Sequence, residues 1–174
     1  MAVYTYKSHF YKKSTKEIEI LDENNNRIGS MQRYHKNKWM RVVDHIINEY
    51  EVNLEAFHVD GGSMINVVDI TPLTKLIGAE WKIEHADGEI SLISDKTKIK
   101  TNIRYELQYK EKRFSFTKDL GDRIMRLRDE SDMLHAEITY DKMLPPITIT
   151  IKNHTEEVDV RMIACVYYLY SLRT

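Results

Sequence analysis

The feature that most constrains this chain is a segment with no polar face. From Val158 to Leu172 only Asp159, Arg161 and Ser171 are polar, and Met162 to Tyr170 is an unbroken apolar run of nine residues. A helix that is apolar all round must lie in lipid or be enclosed by protein. A bilayer span needs about 20 apolar residues, so the length points to enclosure. The spacing predicts a helix over 156–172. Thr155 is the expected N-cap, and Glu156, Glu157 and Asp159 put negative charge at the positive end of the helix dipole.

The enclosing structure is written upstream in period two. Ile103, Tyr105, Leu107 and Tyr109 alternate with Arg104, Glu106, Gln108 and Lys110, and Leu134, Ala136, Ile138 and Tyr140 alternate with His135, Glu137 and Thr139. Phe114 and Phe116, then Ile147, Ile149 and Ile151, repeat the pattern. Such strands bury one face and wet the other. About twelve strands are expected, near 3–10, 17–21, 27–33, 52–59, 64–70, 79–85, 89–95, 102–110, 113–118, 123–128, 133–140 and 147–152. Turn residues separate them: Asp22 to Asn26, Gly61-Gly62, Ala86-Asp87-Gly88 and Lys118 to Asp122 supply positions that tolerate the positive φ of tight hairpins. One segment departs from this: Trp39, Val42, Val43, Ile46, Ile47 and Tyr50 recur at helical spacing and predict an amphipathic helix near 37–51.

The fold class expected is therefore mainly β. It is a closed antiparallel barrel of about twelve strands around a buried C-terminal hydrophobic helix, with one domain over 1–174. The units Glu17–Met31 (EIEILDENNNRIGSM) and Trp81–Ile93 (WKIEHADGEISLI), closed by Val158–Tyr170 (VDVRMIACVYYLY), resemble the tubby C-terminal domain superfamily. That superfamily includes LURP-one-related proteins and phospholipid scramblases, and the likeness is greatest to its bacterial branch. The resemblance implies a barrel wrapped on a central helix, and lipid binding as a superfamily property. The phosphoinositide-binding residues of tubby match no specific positions here, and fold alone does not fix function.

Catalytic and cofactor motifs do not appear. Cys165 is the one cysteine, so no internal disulfide forms, and its apolar surroundings mark it as structural. The seven histidines form no close ligand pair, and Gly61-Gly62-Ser63 lacks the Lys of a phosphate loop. Asp129-Glu130-Ser131-Asp132 reads as a solvated turn rather than a calcium loop. No cofactor and no metal site are expected.

Charge is where function is expected to lie. The net charge is −1, yet residues 96–128 hold eleven Lys/Arg against four Asp/Glu, an excess of seven positive charges. Alternation points Arg104, Lys110, Arg113, Arg126 and Arg128 outward, and Lys96, Lys98 and Lys100 lie on the approach to them. Such a face attracts phosphates. The same residues would also keep a sheet soluble, with Glu106 and Glu111 as partners, and the sequence leaves both readings open. The expected role is a non-catalytic binding domain for anionic phospholipid headgroups, cytoplasmic and peripheral to the membrane. The alternatives are a protein-interaction subunit using the 37–51 helix, and an enzyme with a site assembled from loops. Aromatics on these strands face the core, which argues against nucleic acid.

Overall fold

Twelve antiparallel strands join edge to edge in a closed ring in the computed structural model, which describes residues 1–37, 39, 51–72, 78–99 and 102–173. The strands are β1 (Ala2–Lys7), β2 (Ile18–Asp22), β3 (Arg27–Tyr34), β4 (Asn53–His58), β5 (Ser63–Asp69) and β6 (Glu80–His85). They continue with β7 (Ile90–Asp95), β8 (Ile103–Tyr109), β9 (Lys112–Lys118), β10 (Met125–Asp129), β11 (Leu134–Tyr140) and β12 (Thr148–Asn153). Each pairs with its sequence neighbours, and β1 pairs with β12 through Ala2↔Asn153 to Lys7↔Thr148, which removes the last free edge. All twelve expected strands are present. The expected helix at 37–51 lies outside the described residues except for Asn37, Trp39 and Glu51.

The period-two residues fill the interior. Ile103, Tyr105, Leu107, Phe114, Phe116, Ile138, Ile149 and Ile151 are buried. A bulge in β11 breaks the alternation there: Leu127 faces Ala136 and Arg128 faces Leu134, so His135 is the extra residue and turns inward. The helix α1 (Val160–Arg173) runs inside the ring with eleven of its side chains buried. Its backbone approaches β3, β4 and β12, where Gly29 and Ala56 leave room. Trp81, Tyr105, Phe114 and Phe116 fill the far side. Helix volume thus replaces a lumen.

The helix start corrects the sequence reading. The cap is Asp159, four residues beyond Thr155: its carboxylate accepts the Arg161 backbone N–H at 2.8 Å, and its carbonyl accepts from Ile163 at 3.0 Å. Asp159 also holds the Arg161 guanidinium at 2.7 Å, which fixes the first turn. Glu156 and Glu157 lie in the lead-in loop instead, and the Thr155 hydroxyl sits 2.8 Å from His135 Nδ1.

The two ends of the barrel differ. At one end the chain turns tightly through 22–27, 59–62, 86–89, 110–111 and 129–133. Lys110 and Glu111 have φ of 49° and 61°, a two-residue hairpin of the mirror-image kind that matches strand twist. At the other end lie residues 8–17, 96–99, 119–124 and 141–147, neighbours around the rim because the ring order is β1-β12-β11-β10-β9-β8-β7. The C-terminus of α1 emerges there, anchored on one side by Arg173, 3.7 Å from Asp69 and 5.3 Å from the Trp81 ring.

Candidate functional site

The basic residues of 96–128 do not form one patch. Lys110 sits at the tight-turn end, and Lys96 and Lys98 at the opposite, loop end. The seven residues of β9 span about 20 Å between them. The wall residues Arg104, Arg113, Arg126 and Arg128 point outward as alternation requires, and each meets a carboxylate. Arg104 pairs with Asp119 at 2.6 Å, and Arg126 with Asp122 at 2.6 Å and Glu137 at 3.9 Å. Arg128 pairs with Asp132 at 3.4 Å and Arg113 with Glu130 at 3.6 Å. Bonds from Arg126 and from the Ile124 N–H hold the Asp122 carboxyl below its usual range, so it stays charged opposite its partner. The partners are not Glu106 and Glu111 but acids of the turns and of β11. Lys100 lies outside the described residues.

Uncompensated charge collects at the loop end. Lys12, Lys96, Lys98, Lys118 and Lys142 lie on this rim, and none pairs with a carboxylate among the described residues. Lys118 instead donates to the Tyr170 hydroxyl at 3.3 Å, with its ammonium 5.7 and 5.8 Å from the Tyr140 and Tyr170 ring centres. Large apolar side chains stand between these cations: Phe10, Leu120, Met143 and Leu144 are 78%, 77%, 71% and 76% exposed.

Beneath this rim is a cavity of about 310 Å³. Lys12, Lys142 and Met143 line its exposed mouth, and Tyr6, Tyr167, Tyr168 and Ile149 its buried floor. Each comes from a different part of the chain: Tyr6 from β1, Tyr140 from β11, Ile149 from β12 and Tyr167 from α1. Burial pushes the phenols of Tyr6, Tyr167 and Tyr168 up, that of Tyr168 to about 12, so the floor is neutral. The Tyr6 hydroxyl is buried and has no hydrogen-bond partner among the described residues.

Two other polar groupings have structural roles. His135 is fully buried, with Nε2 3.2 Å from Asp129 and Nδ1 2.8 Å from Thr155. This hydroxyl–imidazole–carboxylate row lies against the Phe114 ring, away from the cavity lined by Tyr6 and Tyr167. The acidic run at 129–132 is a turn: Asp129 accepts from the backbone N–H of Ser131 at 2.9 Å and of Met133 at 3.0 Å. Among the described residues, no group of three His, Cys, Asp or Glu side chains is placed to hold a metal, and no helix is long and apolar enough to cross a membrane.

Sequence reading missed Lys12, Lys118, Lys142 and the tyrosine floor. Their signal was faint: Tyr6 and Tyr140 stand at inward strand positions, but only closure of β1 on β12 brings residues 6–12 beside 118 and 140–149.

A closed antiparallel barrel occupied by its own C-terminal helix, with a cation-rimmed cavity where that helix emerges, places the chain among helix-filled β-barrel domains. A family model, the Tubby C-terminal like domain, matches residues 4–174, and the chain belongs to that family. The family is known for binding lipids or proteins and is generally non-enzymatic. Among solved structures, the X-ray structure of a protein from Arabidopsis thaliana is 10% identical and gives a TM-score of 0.47, covering 99% of this chain and 92% of that chain. No curated protein sequence matches it.

Proposed function

We propose that this is a non-catalytic binding domain that recognises anionic phospholipid surfaces in the cytoplasm, docking through the loop end of the barrel. The observation that carries this reading is the coincidence of lysines that form no ion pair among the described residues with exposed Phe10, Leu120, Met143 and Leu144 on adjacent rim loops. Apolar side chains interleaved with lysines suit the boundary between headgroups and acyl chains, where the tips enter the bilayer and the ammoniums meet phosphate. Each lysine near an anionic leaflet contributes about 1 kcal/mol. The paired arginines of the wall offer much less, because their carboxylates cancel their field at the distance of a headgroup.

Co-sedimentation with vesicles tests this. Wild-type protein is expected to bind vesicles rich in phosphatidylserine, to ignore neutral ones, and to be released by salt. Changing Phe10, Leu120 and Leu144 to Ser should weaken binding at least tenfold. The wall variant Arg104→Gln/Arg113→Gln/Arg126→Gln/Arg128→Gln should bind as wild type. Loss of binding in the wall variant alone, or equal binding to neutral vesicles, would refute the reading.

A further inference from the structure

We infer that the cavity at the loop end is a binding site for one molecule of an anionic amphiphile: an apolar chain carrying a phosphate or carboxylate head. This goes beyond docking on a bilayer face, because it requires a single molecule held within the protein. It shares Lys12, Lys118 and Lys142 with the membrane reading and does not depend on it.

Three observations converge. At about 310 Å³ the volume falls in the range of small-molecule sites, roughly 300–1,000 Å³. The floor is built of Tyr6, Tyr167, Ile149 and Leu172, an apolar surface that favours a chain over water. The mouth carries three ammonium groups without carboxylate partners among the described residues, a set that attracts an anion. Apolar depth beneath a cationic mouth selects against both inorganic phosphate, which has no chain, and neutral detergents, which have no charge.

Calorimetric titration with decanoate and with decyl phosphate, each below its micelle concentration, tests the inference without any bilayer. Both are expected to bind at one molecule per chain. Octyl glucoside and inorganic phosphate should bind at least tenfold more weakly. Lys118→Met/Lys142→Met should weaken decanoate at least tenfold with little change in Tm, and Ser171→Phe, which fills the cavity, should abolish binding. Absence of 1:1 binding, equal binding of octyl glucoside or phosphate, or undiminished binding in Ser171→Phe would overturn the site. If Ser171→Phe does not fold, the methyl resonance of Met143 in the wild type decides: a saturable shift with decanoate supports the site, and no shift overturns it. A positive titration together with failed vesicle binding would leave the cavity site standing and remove only the membrane reading.

Discussion

Replacing Leu169 by alanine measures how rigidly the barrel holds its helix. Leu169 is 0% exposed in α1, surrounded by a wall whose hydrogen bonds form an unbroken ring. The cost of a large-to-small change depends on how far the surroundings collapse into the space, and Leu→Ala spans about 2–5 kcal/mol. Here no strand can move inward without dragging both neighbours, so the upper part of that range applies, about 4 kcal/mol. For a domain of this length about 1 kcal/mol shifts Tm by about 2–4 °C, so Tm should fall by about 8–16 °C. Leu172 is the internal control: it is 4% exposed and borders the cavity, where space is already open, so Leu172→Ala should cost about 2 kcal/mol or less. Urea unfolding followed by tryptophan emission gives both values, because Trp81 is fully buried and donates its indole N–H to the Val52 carbonyl at 3.1 Å. The slope m should not change. Equal costs at the two positions, or a Leu169 cost below about 2 kcal/mol, would refute the account of a wall unable to collapse.

Gly29→Ala should destabilise by about 1–3 kcal/mol through overpacking, because a Cβ there would lie 2.6 Å from the Phe57 carbonyl oxygen and 2.8 Å from Arg161 Cδ. The carbonyl belongs to β4 and cannot retreat without opening the ladder, so an unchanged melting temperature would contradict the close approach. Acid should weaken the helix cap. Burial pushes the Asp159 carboxyl up, but bonds from Arg161 outweigh it and hold the group below its usual range. Its stabilisation is therefore complete above the unfolded value, about 3.9, and is lost as pH falls through the folded value. Asp159→Asn should flatten the fall in urea midpoint between about pH 5 and pH 3, and an identical slope in both proteins would refute the role.

The architecture was legible because each signal was local. Alternation at Ile103–Tyr109 and Leu134–Tyr140 gave strands and their inward faces, and the all-apolar 158–172 stretch demanded enclosure. What failed was subtler. Thr155 and Asp159 are both competent caps by type, and the choice went to Asp159, whose carboxylate also anchors Arg161. His135 carries an outward position in the alternation, and only the bulge opposite Leu127 and Arg128 turns it inward. The basic run at 96–128 was legible as composition, but its partners Glu130, Asp132 and Glu137 fall just beyond that window, so the run looked more positive than the wall it builds.

That contrast follows from strand geometry. In a ladder, side chains on adjacent strands stand about 5 Å apart, so a basic residue on the wall meets whatever its neighbour presents, and acids are favoured there. Rim loops carry no such cross-strand constraint, and a helix-filled barrel has no lumen to line. Recognition is therefore left to the ends, and the loop end gathers five lysines without ion pairs to carboxylates among the described residues, exposed apolar tips and a hollow. The hollow exists only when the ring is closed, since Tyr6 comes from the first strand, Ile149 from the last and Tyr167 from the helix between them. An occupant of that space would bind the folded chain alone. At a hundredfold excess over its Kd it would add about 2.7 kcal/mol to stability, coupling ligand binding to the β1–β12 seam that completes the barrel.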